Sequence, residues 1–272
     1  MSFNISVIIP NYNHALYLKE RIESVLNQTH KPYEIIILDD CSTDNSVEII
    51  ETYFLKYPEI QYVKNEINSG STFSQWNKGV ALAKGELIWI AESDDFAKLN
   101  FLEIVTKPFL NNNKVVLSYC QSNKVNELSE VIGNWKFYTE EFVSTFFDNL
   151  TVIKGERYIE QFLIHKNTIP NASSVIFKRE AFIKTDGACV IKYIGDWLVW
   201  IKLACVGDVA FNPMILNNFR SHSESVIAKA NFSININEFK DWFGFQMRKE
   251  LVQFLKNKKI KLTPKANISN AK

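Results

Sequence analysis

The sequence predicts an α/β fold: a central, mostly parallel sheet flanked by helices, with a less regular C-terminal half. Three observations predict it. Through the first hundred residues, β-branched apolar runs alternate with helical patterns of roughly 10–15 residues, the signature of right-handed βαβ crossovers. Three of the runs are apolar almost throughout, as strands are when helices cover both faces. Polar residues gather where the runs end, and open α/β sheets bind their ligands at that edge.

"ISVIIP" (Ile5–Pro10) predicts the first strand. From about His14 to Gln28, Leu16, Ile22, Val25 and Leu26 form an apolar stripe at helical spacing. "EIIILDD" (Glu34–Asp40) predicts the second strand, and Ser42, Thr43 and Asp44 offer an N-cap to a helix through Val47, Ile50 and Phe54. Ile60–Asn65 reads as a third strand, Ser71–Gly85 as a helix closed by Gly85, and Glu86–Asp95 as a fourth strand. A helix around Asn100–Leu110 and a strand over Lys114–Cys120 follow. Residues 121–154, rich in Asn, aromatics and acids, show no clean period and read as a variable insertion. Helical patterns return at Glu156–His165, Asp196–Val206 and, amphipathically, Glu238–Leu255. The chain thus divides into an α/β half (1–120), an irregular half (121–230) and a C-terminal helix with a Lys-rich tail (231–272).

A length of 272 residues suits one large domain, and a hydrophobic content of 46% supplies its core. A formal charge of +1 gives no reason to expect nucleic acid as a partner. Cys41, Cys120, Cys189 and Cys205 lie far apart without CxxC spacing, which disfavours zinc sites and fits a reduced, cytoplasmic setting. No run reaches the ~18 apolar residues of a membrane span. The N-terminal "MSFNISVIIPNYN" has too short an apolar part and too little positive charge for a signal peptide. After Leu255 come six lysines and no acid, a candidate for weak peripheral contact with the inner face of an anionic membrane; a solvated end is the alternative.

Strand one ends in Pro10, Asn11, Tyr12 and Asn13, strand two in Asp39 and Asp40, and strand four in Glu92, Ser93, Asp94 and Asp95. Adjacent carboxylates repel one another unless a hard cation neutralises them, and Mg²⁺ or Mn²⁺ takes one or two carboxylates plus phosphate. Neither GxGxxG nor GxxxxGK[ST] occurs, so phosphate would be held through a metal instead of a glycine-rich cradle. Each residue also has a plainer reading: Asp39 and Asp40 as helix caps, Tyr12 as a packing residue, His222 as a loop histidine.

"SVIIPNYNHALYLKERIESVLNQTHKPYEIIILDDCSTDNS" resembles the opening of the family 2 glycosyltransferases with the GT-A, Rossmann-like fold. The likeness continues through "NSGSTFSQWNKGVALAKGELIWIAESDD", "SSVIFKREAF", "GDWLVWIKLA" and "RSHSES", in order, with a gap over about 121–154. It implies a nucleotide-sugar-binding half over 1–120 and an acceptor-binding, catalytic-base half over 121–230. It also implies a UDP- or other NDP-sugar donor, a glycan or lipid-linked glycan acceptor, inversion at the anomeric carbon, and Mn²⁺ or Mg²⁺. The setting it suggests is bacterial surface polysaccharide or lipopolysaccharide synthesis.

By matching positions, Pro10, Tyr12 and Asp40 hold the nucleoside, with Asn13 and Asn77 also on the donor side. Asp94 lies near the ribose, Asp95 binds the metal, Asp196 is the base, and Arg220 and His222 lie over the diphosphate. The chain departs from the family pattern at Glu92, where an Asp is usual, and at Gly195, where an acid often precedes the base. Asp196 has a physical rationale as well, since an attacking hydroxyl must lose its proton to a carboxylate within reach; it could equally cap the helix that follows. A sugar nucleotidyltransferase would carry a glycine-rich N-terminal loop where this chain has "IPNYNHA". A binding-only relative is the other alternative.

Overall fold

Strands β1 (Ile5–Asn11) and β2 (Glu34–Asp39) are buried along their whole length in the computed structural model of the chain, as continuous apolar runs require. The structure describes residues 3–142, 145–189, 195–222 and, within 245–257, all but 246 and 248. β1, α1 (Ala15–Leu26), β2, α2 (Ser46–Lys56), β3 (Ile60–Lys64), α3 (Thr72–Leu82) and β4 (Leu87–Ile90) alternate as the sequence predicts. After β5 (Phe96–Ala97) come the short helices α4 (Phe101–Val105) and α5 (Lys107–Asn111), then β6 (Val115–Val125), β7 (Val131–Asn134) and β8 (Thr151–Ile153). α6 (Gly155–Tyr158), β9 (Val175–Lys178), α7 (Arg179–Lys184), α8 (Gly195–Ala204) and β10 (Asp208–Arg220) follow.

One sheet runs through both halves in the order β3-β2-β1-β4-β9-β6-β10-β5, with β7 added on β6 and β8 on β10. β9 and β5 run against the other strands of that path, so the sheet is mixed but mostly parallel. The strand period of two splits the apolar residues between its faces. Val7, Ile9, Ile35 and Ile37 pack with Leu18, Ile22 and Val25 of α1. Ile8, Ile36 and Leu38 share the opposite core with Trp76 and Val80 of α3 and Leu198 and Trp200 of α8. Met247, Leu251 and Phe254 join this second core at helical spacing. The earlier part of the expected C-terminal helix, 238–244, and residues 258–272 of the tail lie outside the described residues. Among the described residues, no helix is long and apolar enough to cross a membrane.

The structure corrects several boundaries. Gly85 does not close α3, which ends at Leu82; it lies against β1, where a Cβ would come within 2.6 Å of the Ser6 backbone nitrogen. The acids expected on the fourth strand sit in the turn beyond Ile90. Residues 121–125, expected to be irregular, extend β6 because β10 pairs with it as far as Val125. The helix expected over Asn100–Leu110 breaks after Val105, just ahead of Pro108, which has no N–H to continue the ladder. Asn45 stands at the N-cap of α2, and Asp44 still serves that end by accepting the Ser46 N–H at 3.0 Å.

Gly155 marks a closer approach. A Cβ there would meet the Ala204 and Gly207 carbonyl oxygens at 1.9 and 2.1 Å, just where α8 ends. Both are backbone atoms, so no side-chain rotation relieves the clash. Gly155→Ala should therefore cost about 1–3 kcal/mol or more. The urea midpoint should fall at unchanged slope; a wild-type midpoint would mean that α6 and α8 separate without penalty.

Candidate active site

The turn after β4 is built by pairing. β5 runs antiparallel to the end of β10, with Phe96 opposite Asn218, and this folds the acid turn back onto the strand that ends at Arg220. Asp95 is 3% exposed, and its Oδ1 accepts the Arg220 backbone N–H at 2.8 Å. Burial and the neighbouring Asp94 charge push its carboxyl up to about 7, against the pull of Arg21. Asp94 faces the other way, with Oδ2 3.1 Å from Nε2 of the buried His222. Burial alone would raise the Asp94 carboxyl, but the His222 hydrogen bond and the charge of His14 and His222 outweigh it and hold it below its usual value.

His14, Asp94 and His222 place one ligand atom each within 4.8 Å of one another, and no other such group of three occurs among the described residues. Two imidazole nitrogens and a carboxylate oxygen are donors that suit a transition-metal dication. A divalent cation therefore fits here, on Asp94; Asp95, the expected ligand, is turned inward to the end of β10.

Arg220, expected over a diphosphate, is 1% exposed and already engaged. Nε donates to the Asp94 carbonyl at 2.7 Å. One terminal nitrogen donates to the carbonyls of Asn126 and Glu127, the other to Glu20, and both reach Ser129 Oγ. The guanidinium also lies over the Tyr17 ring at 4.5 Å. It clasps the acid turn, α1 and the loop after β6 together.

Two more donor-side candidates hold the protein itself. Asp40, at the end of β2, accepts from Asn65 (2.6 Å), from Gln75 (2.9 Å) and from both the N–H and the hydroxyl of Ser69 (2.9 and 2.7 Å). Its carboxylate thus fastens the loop before α3. The Asn77 amide donates to the Ala188 carbonyl at 2.8 Å and accepts the Ala188 N–H at 2.9 Å, tying α3 to the segment after α7. Pro10 is buried in β1, whereas Tyr12 stands 46% exposed at its end. Asn13 takes a left-handed φ of 56°, and its Oδ1 accepts the Thr43 N–H at 2.8 Å.

Asp196 opens the first turn of α8, half-buried. Burial pushes its carboxyl up to about 6, against the Trp197 N–H and the Asn167 amide, which donates to Oδ2 at 3.1 Å. The carboxylate also acts on Tyr138, whose phenol is raised by burial and by this charge. Lys166 Nζ sits 3.8 Å above the Tyr138 ring and pairs with Glu141 at 2.7 Å.

His14 and Arg21, to which the sequence reading gave no role in the site, lie among these side chains. His14, read only as a helix start, sits 2.8 Å through Nδ1 from Ser93 Oγ, and its ring meets that of His222 edge-on at 5.5 Å. Arg21 is fully buried beneath the acids, with Nε donating to the Glu92 carbonyl at 2.8 Å and the guanidinium over Trp89. Desolvation brings its pKa down to about 10 even with Asp95 and Asp94 near. Glu92 accepts the Trp76 indole N–H at 2.8 Å, and burial with the Asp94 charge pushes it up to about 8. The longer acid thus turns into the core and leaves Asp94 to the histidines.

The profile of Glycosyl transferase family 2 matches residues 6–183. Glycosyltransferase GlyG of Streptococcus pneumoniae serotype 4 is 33% identical over 184 residues, 67% of this chain and 55% of that protein. Chondroitin synthase of Pasteurella multocida is 31% identical over 144 residues, 52% of this chain and 15% of that one. The structure of S. aureus TarS 1–349 in complex with UDP-GlcNAc superposes with a TM-score of 0.69 at 18% identity, over 93% of this chain and 71% of that chain, a likeness of fold. This chain thus spans about half the length of GlyG and far less of chondroitin synthase. The family match runs from β1 into α7 and takes in the acid turn after β4; the chain has the GT-A fold and belongs to the family 2 glycosyltransferases.

Proposed function

We propose that the chain is an inverting glycosyltransferase moving a sugar from a UDP-sugar, or another NDP-sugar, to a hydroxyl of a glycan or lipid-linked glycan. The observation that carries this reading is the convergence of Asp94, His222 and His14 at the C-terminal end of β4. A divalent cation held by Asp94 and His222 would neutralise the charge that develops on a leaving diphosphate. The exposed Tyr12 ring would stack on the base, while Asp40 keeps the adjoining loop in place. Asp196, steadied through Oδ2 by Asn167, takes the proton of the attacking hydroxyl. The chondroitin synthase likeness supports a polysaccharide acceptor. With a lipid-linked acceptor, the Lys-rich tail would hold a cytoplasmic chain near an anionic membrane.

Calorimetry of UDP binding tests the donor half. With Mn²⁺ the wild type should bind UDP at least about tenfold more tightly than in EDTA, a difference of ~1.4 kcal/mol. Asp94→Asn should abolish the difference. Asp95→Asn should keep it, because the amide oxygen still accepts the Arg220 N–H. Equal affinity in Mn²⁺ and EDTA would overturn the reading.

A further inference from the structure

We propose that His14 is a third protein ligand of the cation, giving a centre of two imidazoles and one carboxylate that loads metal before nucleotide and favours Mn²⁺ over Mg²⁺. This rests on the reading of the site as a cation–diphosphate centre. His14 reaches the site because β1 and β4 are parallel neighbours, so the residue capping α1 lies beside the turn after β4. Its ligand atom falls within 4.8 Å of those of Asp94 and His222. Ser93, 2% exposed, steadies the ring, its Oγ 2.8 Å from Nδ1. Tyr17 backs His222 in turn, with ring centroids 5.1 Å apart.

The donor set decides the consequence. A centre of carboxylates alone takes a hard cation weakly and relies on substrate phosphates to fill its shell. Imidazole nitrogen shifts preference toward transition metals, and Mg²⁺, which seeks oxygen and sheds water reluctantly, profits least. Three protein donors hold the ion without any phosphate. Nucleotide then meets a loaded centre.

The test is an electron paramagnetic resonance titration of the full chain with Mn²⁺ alone, no nucleotide present. One Mn²⁺ should bind per chain, at least about tenfold more tightly than Mg²⁺ competes, with pulsed spectra showing two coupled imidazole nitrogens. His14→Ala should bind Mn²⁺ about 10–100-fold more weakly and show one nitrogen, while UDP with excess Mn²⁺ still binds. A wild-type spectrum with a single coupled nitrogen overturns the proposal whether or not the variant folds. So does His14→Ala binding Mn²⁺ as tightly as wild type. In both cases the functional reading survives if UDP binding still needs cation and Asp94; if UDP binds equally well in EDTA, that reading fails instead.

Discussion

Asp196→Asn should turn over about 10²–10⁴-fold more slowly than wild type while binding UDP with Mn²⁺ as before. In the mechanism proposed above the loss falls on kcat, because only the proton transfer needs the carboxylate's basicity. Asparagine keeps the shape and an oxygen for the Asn167 amide and the Trp197 N–H, so α8 should start as it does now. The pH dependence follows from the same burial. With its carboxyl raised to about 6, Asp196 is ionised above that pH and protonated below it. Wild-type kcat/KM should therefore fall about tenfold per unit below pH 6 and level off above. Stability runs oppositely. An acid whose folded pKa is raised disfavours the fold as pH rises through the window from its ordinary value to about 6, so Asp196→Asn should melt no lower than wild type at pH 8. A variant within a few-fold of wild-type turnover, or a product that retains the anomeric configuration of the donor, would mean that another group is the base.

Arg220→Met should lower stability by about 3–5 kcal/mol, the range for breaking a buried charged cluster from one side. The guanidinium is buried, and its removal strips partners from the Asp94, Asn126 and Glu127 carbonyls and from Ser129 Oγ. The Glu20 pair adds least, since Glu20 is 40% exposed. Arg220→Lys keeps the charge but not the fork, and should recover less than half of the loss. Urea unfolding of both variants measures this. A loss under about 1 kcal/mol in Arg220→Met would show that the clasp is dispensable and would reopen a direct role on the diphosphate.

The parallel strands were legible because each is an apolar β-branched run, and burial on both faces leaves little else possible. The acid cluster was legible too, since no local pairing accounts for Glu92, Asp94 and Asp95 so close together. What each side chain does there depends on partners distant in sequence. Asp94 meets a histidine 128 residues away, and Asn77 grips a backbone 111 residues away. Neither contact leaves a trace in local periodicity. The family resemblance implied a place over the diphosphate for Arg220, and only burial by α1 and the loop after β6 reveals a clasp. His14 was hidden by its own helix: at the start of an amphipathic segment it reads as a cap.

The place of β9 has a consequence for how the chain is made. β4 pairs with β1 on one side and with β9 on the other, yet β9 begins at Val175. On the ribosome, the β4 edge must wait while more than eighty further residues are added, some 4–16 s at about 5–20 residues per second. A bare apolar edge is a template for pairing with a neighbouring nascent chain. β4 is only four residues long, and the acids of the turn follow it at once. Short length and clustered like charge are what keep a waiting edge from finding the wrong partner. The acids of the turn after β4 would thus serve as a guard during synthesis, before any role in the folded site.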